Sequence, residues 1–136
     1  MANNNTSKAA SKTNQNDQID IYYAITDAIK PYIEGARAGN TELLQSAFYA
    51  NATMTGIMGN ELMHANAIES FEQFESKPSP TLRVHIASID ISGSVAVAKI
   101  EFDEWMGMRY TDFLTLVKYN NIWKISAKVF DTHAVD

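Results

Sequence analysis

The sequence predicts an α+β domain in which three early helices pack on one face of a curved antiparallel sheet. Apolar residues recur at helical spacing up to about residue 75, and alternating runs separated by turn signals take over from Leu82. Helices therefore come first and a long meander comes last, which is the order of an α+β architecture rather than of alternating crossover units.

The elements follow in order. Residues 19–37 form the first helix, with Ile21, Ile25, Ala28, Ile29, Tyr32 and Ala36 on one side. Pro31 removes one backbone donor and marks a kink or weak point, and Gly35 and Gly39 bring the helix to a stop. Thr41 caps a short helix over 42–48, with Leu43, Leu44, Ala47 and Phe48 inward. Loose alternation in 52–58 and 61–64 around Gly59-Asn60 suggests a small hairpin. A third helix covers about 67–75, with Ile68, Phe71 and Phe74 on one side, and the Pro-rich segment 76–80 ends it.

Strands then occupy 82–91 and 94–104 around a Ser92-Gly93 turn, 109–119 after a loop at Met106-Gly107-Met108, and 122–133 after Asn120-Asn121. The Asn-Asn pair tolerates the positive φ of a tight hairpin. Tyr119 then meets Ile122, Leu116 faces Ile125, Leu114 faces Ala127, Asp112 faces Val129 and Tyr110 faces Asp131. A three-residue loop before it pairs Trp105 with Arg109, Phe102 with Asp112 and Ile100 with Leu114. A two-residue loop would turn Lys99 and Glu101 onto the apolar face. The helix-facing side collects Ala96, Ala98, Ile100, Phe102, Leu114, Leu116, Trp123, Ile125, Ala127 and Val129. The outer side carries Thr111, Phe113, Thr115, Val117, Lys124, Ser126, Lys128 and Phe130, a mix apolar enough for a dimer surface.

The chain of 136 residues is long enough for one domain with a real core. The first eighteen residues are polar, read as a disordered tail, and lack the apolar core of a signal peptide, which leaves a cytoplasmic location as the expectation. A net charge of −5 with scattered Lys and Arg argues against nucleic acid as a partner, and no apolar run reaches the length of a membrane span. The absence of cysteine excludes disulfides, a thiol nucleophile and cysteine metal sites. No Gly-rich phosphate loop, no GxSxG element and no HExxH spacing occurs, so no cofactor is expected. His64, His85 and His133 read as three unrelated histidines rather than a metal site.

The order of elements resembles the nuclear transport factor 2-like superfamily, a cone-shaped α+β fold. YIEGARAGNTELLQSAFYANATM, with Tyr32, Gly35, Gly39, Leu44, Phe48 and Ala52, looks like its entry segment, and IDISGSVAVAKIEF like its central hairpin. RYTDFLTLVKYNNIWKISAKVFDTH, with Thr-Asp-Phe, Trp-Lys-Ile and Lys-Val-Phe-x-Thr-His, resembles the SnoaL-like, lumazine-binding branch. The likeness spans about residues 19–133. It implies a pocket between helices and concave sheet, often in a homodimer, for a small aromatic or cyclic molecule. The superfamily holds isomerases, dehydratases and cyclases beside non-catalytic binding modules, so the fold leaves enzyme status open.

Within that frame the candidate catalytic residues are Asp112 and His133. A carboxylate on an apolar strand face needs a partner or a chemical role. In ketosteroid isomerase an Asp base works with a Tyr and a protonated Asp, which suggests Asp112 with His133 as proton shuttle and Tyr110 as donor. Equally, Asp112 accepts hydrogen bonds from buried Trp, Tyr or backbone donors in a purely structural role, and His133 is a solvated chain end. Candidate ligand contacts are Tyr22, Phe102, Trp105, Tyr110, Asp131 and His85, the aromatics by stacking and His85 through a strand register that sets it opposite Ile100. Three readings stand: a small-molecule-binding protein, an isomerase-, dehydratase- or cyclase-type enzyme with an Asp–His pair, and a dimeric interaction module.

Overall fold

The computed structural model describes residues 2–74 and 76–133, with side chains described from Gln18 onward. Three helices, α1 (Ala2–Ala38), α2 (Thr41–Gln45) and α3 (Ala67–Gln73), accompany six strands: β1 (Phe48–Met58), β2 (Glu61–Asn66), β3 (Arg83–Ser92), β4 (Val95–Trp105), β5 (Met108–Tyr119) and β6 (Ile122–His133). The strands form one sheet in the order β2-β1-β6-β5-β4-β3, antiparallel except where β1 runs parallel to β6. Among the described residues no helix is long and apolar enough to cross a membrane.

The first helix lays Ile25, Ile29, Tyr32 and Ala36 into the core at the spacing of one helical face, and it continues through Pro31. Gly35 does not stop it. A Cβ there would meet the Leu44 backbone nitrogen at 2.5 Å, so this glycine is what lets α1 and α2 touch. The stop is Gly39, with φ of 69°; Asn40 N–H donates to Gly35 C=O at 2.9 Å and Gly39 N–H to Ala36 C=O at 3.4 Å, a Schellman ending.

The short helices differ from expectation at their ends. Asn40, not Thr41, caps α2, its side chain accepting from Leu43 N–H at 3.0 Å. Because α2 ends at Gln45, Phe48 is free to open β1. Asn66 caps α3. Phe74, expected inward, follows its last turn and is 53% exposed, while Glu75 lies outside the described residues.

The Asn120-Asn121 turn has positive φ at both positions, 51° and 61°, and the pairing beside it is as expected. Further along, bulges reset three registers. In β3 the turn falls at Gly93-Ser94, and Ala87 is extra between Ile86↔Ile100 and Ser88↔Lys99. Val84, Ile86, Ile89 and Ile91 consequently pack on the core, and His85 is exposed opposite Glu101 instead of facing inward.

Between β4 and β5 the loop is the two-residue Met106-Gly107, with Trp105 opposite Met108. A bulge between Phe102 and Trp105 restores parity, so Phe102 pairs with Tyr110, Ile100 with Asp112 and Ala98 with Leu114. The three-residue loop is thereby corrected, yet the residues expected inward on β4 and β5 are inward. In β6, Ser126 is extra: Leu116 faces Ile125, but Thr115 already faces Ala127.

Candidate functional site

The bulge at Ser126 builds the site. Its Oγ lies 2.8 Å from Thr115 Oγ1 and donates to the Thr115 carbonyl at 3.1 Å, which fixes the extra residue in place. Every side chain beyond it changes face. Leu114 is opposite Lys128 and Asp112 opposite Phe130. Lys128 and Phe130, expected outside, are buried. Ala127, Val129 and Asp131, expected on the inner face, turn outward.

Lys128 is 5% exposed and Asp112 0%. Lys128 Nζ lies 3.9 Å from Asp112 Oδ2, and the Tyr32 hydroxyl donates to that same oxygen at 2.6 Å. Four rings surround the amine: Trp105 and Phe130 with centroids at 5.1 Å, Phe71 at 5.3 Å and Tyr32 at 5.4 Å. Among the described residues two buried polar atoms have no protein partner, Trp105 Nε1 and Asp112 Oδ1. In a native core such atoms are few, and each calls for a reason.

Burial dominates the electrostatics. It pushes the Asp112 carboxyl above its ordinary value, against the opposing pull of the Lys128 charge and the Tyr32 hydrogen bond. It lowers Lys128, with Asp112 opposing. Tyr32 is raised by burial and then by Asp112, as is the half-buried Tyr110. Both members of the pair are thus drawn toward their neutral forms, while the rings favour the ammonium.

Lys128 floors a cavity of about 120 Å³ walled by Met54, Met63, Phe71, Trp105, Tyr110 and Phe130, with Met58, Phe74 and Met106 at its exposed rim. A larger, shallower depression of about 610 Å³ lies on the outer sheet face, along Arg83, His85, Lys99, Arg109, Thr111, Asp131 and His133. Several of its polar groups pair with one another: Arg83 and Arg109 lie 3.7 and 3.8 Å from Asp103, and Thr111 Oγ1 is 2.7 Å from His133 Nε2. The smaller cavity instead holds a buried amine.

The structure divides the residues that the sequence singled out. Asp112 lies in the core beneath the small cavity, and Trp105 and Tyr110 are in its wall. His133 is on the other side of the sheet, its Nδ1 3.5 Å from Asp131 Oδ2, so Asp112 and His133 do not meet. His85 and Asp131 lie on that outer side too, and with His133 they line the outer depression, which Phe102 and Tyr110 also border. Phe102 is buried against Tyr32 and Trp105, with ring centroids 5.5 and 5.0 Å away. Tyr22 is exposed and touches Tyr23 edge-on at 5.7 Å, away from both depressions. Among the described residues no cluster of His, Asp and Glu could hold a metal, and His64 bonds to Thr55 at 2.7 Å.

Sequence reasoning missed Lys128, Tyr32, Phe71, Phe130, Met54, Met58 and Met63 as site residues, while Met106 belongs to the loop beside Trp105 that it read as an adaptable rim. The signal in β6 was ambiguous: Trp123 and Ile125 share a parity with Val129, while Phe130 falls on the other.

Residues 21–131 match the family described as Putative lumazine-binding. An NTF2-like protein of unknown function from Shewanella baltica OS155 is 32% identical with a TM-score of 0.81, over 86% of this chain and 97% of that one. A second such protein, from Methylobacillus flagellatus KT, is 31% identical with a TM-score of 0.80, over 85% of this chain and 94% of that one. Among curated proteins, the aldolase FrzH of Cladobotryum sp is 23% identical over 114 residues, 82% of this chain and 91% of that protein.

Proposed function

The chain belongs to the Putative lumazine-binding family of the nuclear transport factor 2-like superfamily, and from that premise we propose that it binds a small aromatic or cyclic molecule in the cavity above Lys128. The observation that carries this reading is the buried amine at the floor of an otherwise apolar, methionine-rich cavity. Thioether and aromatic walls suit a flat ring and adapt to its outline.

Size narrows the ligand. A dry engineered cavity of roughly 150 Å³ admits benzene, so about 120 Å³ takes one ring and leaves a fused second ring at the rim formed by Met58, Phe74 and Met106. The aldolase activity of the Cladobotryum protein supports a ligand that carries a carbonyl group. In a Trp123→Phe background, Trp105 fluorescence reports the site. Benzaldehyde and benzyl alcohol should change it saturably, and lumazine, with its fused rings, should bind more weakly than a one-ring lactam. No saturable change with any of these compounds would refute the reading.

The outer sheet face is the proposed homodimer surface. Phe113 and Val129 pair there and are 48% and 50% exposed, beside Thr111, Thr115 and Val117. Light scattering should give a dimer mass for the natural chain and a monomer mass for Phe113→Glu. A monomeric natural chain would sink this part of the proposal.

A further inference from the structure

Resting on the pocket reading above, we propose that Lys128 is a covalent amine nucleophile that condenses with an aldehyde or ketone in this cavity to form a Schiff base, with Asp112 as its proton relay. The geometry has each part that this step needs. Lys128 Nζ borders the cavity, so a carbonyl carbon can reach it, and it is the one lysine of β6 that the Ser126 bulge turns inward. Asp112 Oδ2 stands 3.9 Å behind the amine, held by the Tyr32 hydroxyl.

The step balances without any outside reagent. The lone pair of neutral Lys128 Nζ adds to the carbonyl carbon, and the carbonyl oxygen gains a proton from the Asp112 carboxyl to give a carbinolamine. The nitrogen's proton returns through Asp112 to the hydroxyl, the C–O bond breaks, and one water leaves as the C=N bond forms. Protonated, the product is a cationic iminium enclosed by the Tyr32, Phe71, Trp105 and Phe130 rings, with the Asp112 carboxylate as counter-ion. An iminium acidifies the adjacent C–H. That opens carbon–carbon bond formation or cleavage, or proton exchange, at the same site.

Among the described residues, Asp112 and Tyr32 are the titratable groups set against the amine. Burial lowers the amine's proton affinity and Asp112 opposes it. A desolvated lysine of this kind retains a neutral fraction at pH values where exposed lysines are protonated.

The test treats the full chain with benzaldehyde and cyanoborohydride at neutral pH, followed by peptide mapping. Lys128 should carry the benzyl group about tenfold or more faster than exposed lysines, because burial favours its neutral, nucleophilic form. Lys128→Met should lose that site alone, and because mapping is done on the natural chain the result does not depend on how the variant folds. Benzyl alcohol, which has the ring but no carbonyl, is titrated in parallel by Trp105 fluorescence. Binding of benzyl alcohol without labelling of Lys128 would overturn the Schiff base and leave the pocket standing. Failure of both would remove the pocket as well.

Discussion

Lys128→Met should lower stability at neutral pH, by as much as about 3–5 kcal/mol where the pair is ionised, because the buried Asp112 carboxyl is left without its partner. Adding Asp112→Asn should recover most of that loss, since the asparagine oxygen still accepts from Tyr32 and no charge remains in the core. The two changes are therefore strongly non-additive. The pH dependence has a definite sign. Burial raises Asp112 and the Lys128 charge is the main opposing influence, so in Lys128→Met the carboxyl rises further. A carboxyl whose folded pKa exceeds its unfolded value is a burden above that folded pKa and ceases to be one as pH falls through it toward the ordinary carboxylate range. The variant's deficit should be widest near neutrality and shrink on acidification. Lys128 in the natural chain behaves oppositely: its lowered pKa means that the burden of a buried ammonium is relieved as pH rises through the folded value. Urea unfolding of the natural chain, both single variants and the double variant across pH measures all of this. A pH-independent deficit in Lys128→Met would show that Asp112 is not the group left behind.

Trp105→Ala should cost about 3–5 kcal/mol, the range for deleting a buried large aromatic side chain. The ring is 4% exposed and lies edge-on to Tyr32 at 5.6 Å, edge-on to Tyr110 at 5.6 Å and tilted on Phe102 at 5.0 Å, so its loss opens a void that no single neighbour can fill. That void is continuous with the cavity above Lys128. The variant should therefore accept a two-ring ligand such as lumazine in preference to a one-ring lactam, reversing the natural order. Thermal unfolding measures the first effect and titration calorimetry the second. An unchanged ring preference, with the stability loss intact, would make Trp105 a core residue and nothing more.

The order of helices and strands was legible because each element carries its own period, and Asn120-Asn121 was legible because asparagine tolerates the successive positive φ values of a tight hairpin. The inward residues of β4 and β5 were legible for a similar reason: Ile100 and Phe102 alternate with Lys99, Glu101 and Asp103, and an error of one rung in pairing leaves parity intact. Bulges were not legible. Ala87 and Ser126 are ordinary residues whose insertion is decided by what the neighbouring strands must cover, yet each reverses the facing of everything beyond it. Thus Asp112 stood out in the sequence as a carboxylate among apolar neighbours, while its partner Lys128 did not. Val129 offered an apolar residue at the expected parity, and the alternative of a buried lysine carries a desolvation cost that no local pattern advertises. His85 and His133 were assigned inward by the same unbroken alternation and lie outward for the same reason.

The central claim is that the cavity above Lys128, and not the broad outer depression, is where the ligand sits. Soaking crystals of the full chain in bromobenzene and recording bromine anomalous scattering tests it directly. The expected result is a peak between Met54, Phe71, Trp105 and Phe130, over Lys128 Nζ. A peak confined to the outer face along Arg83, His85 and Arg109, with none above Lys128, would contradict it.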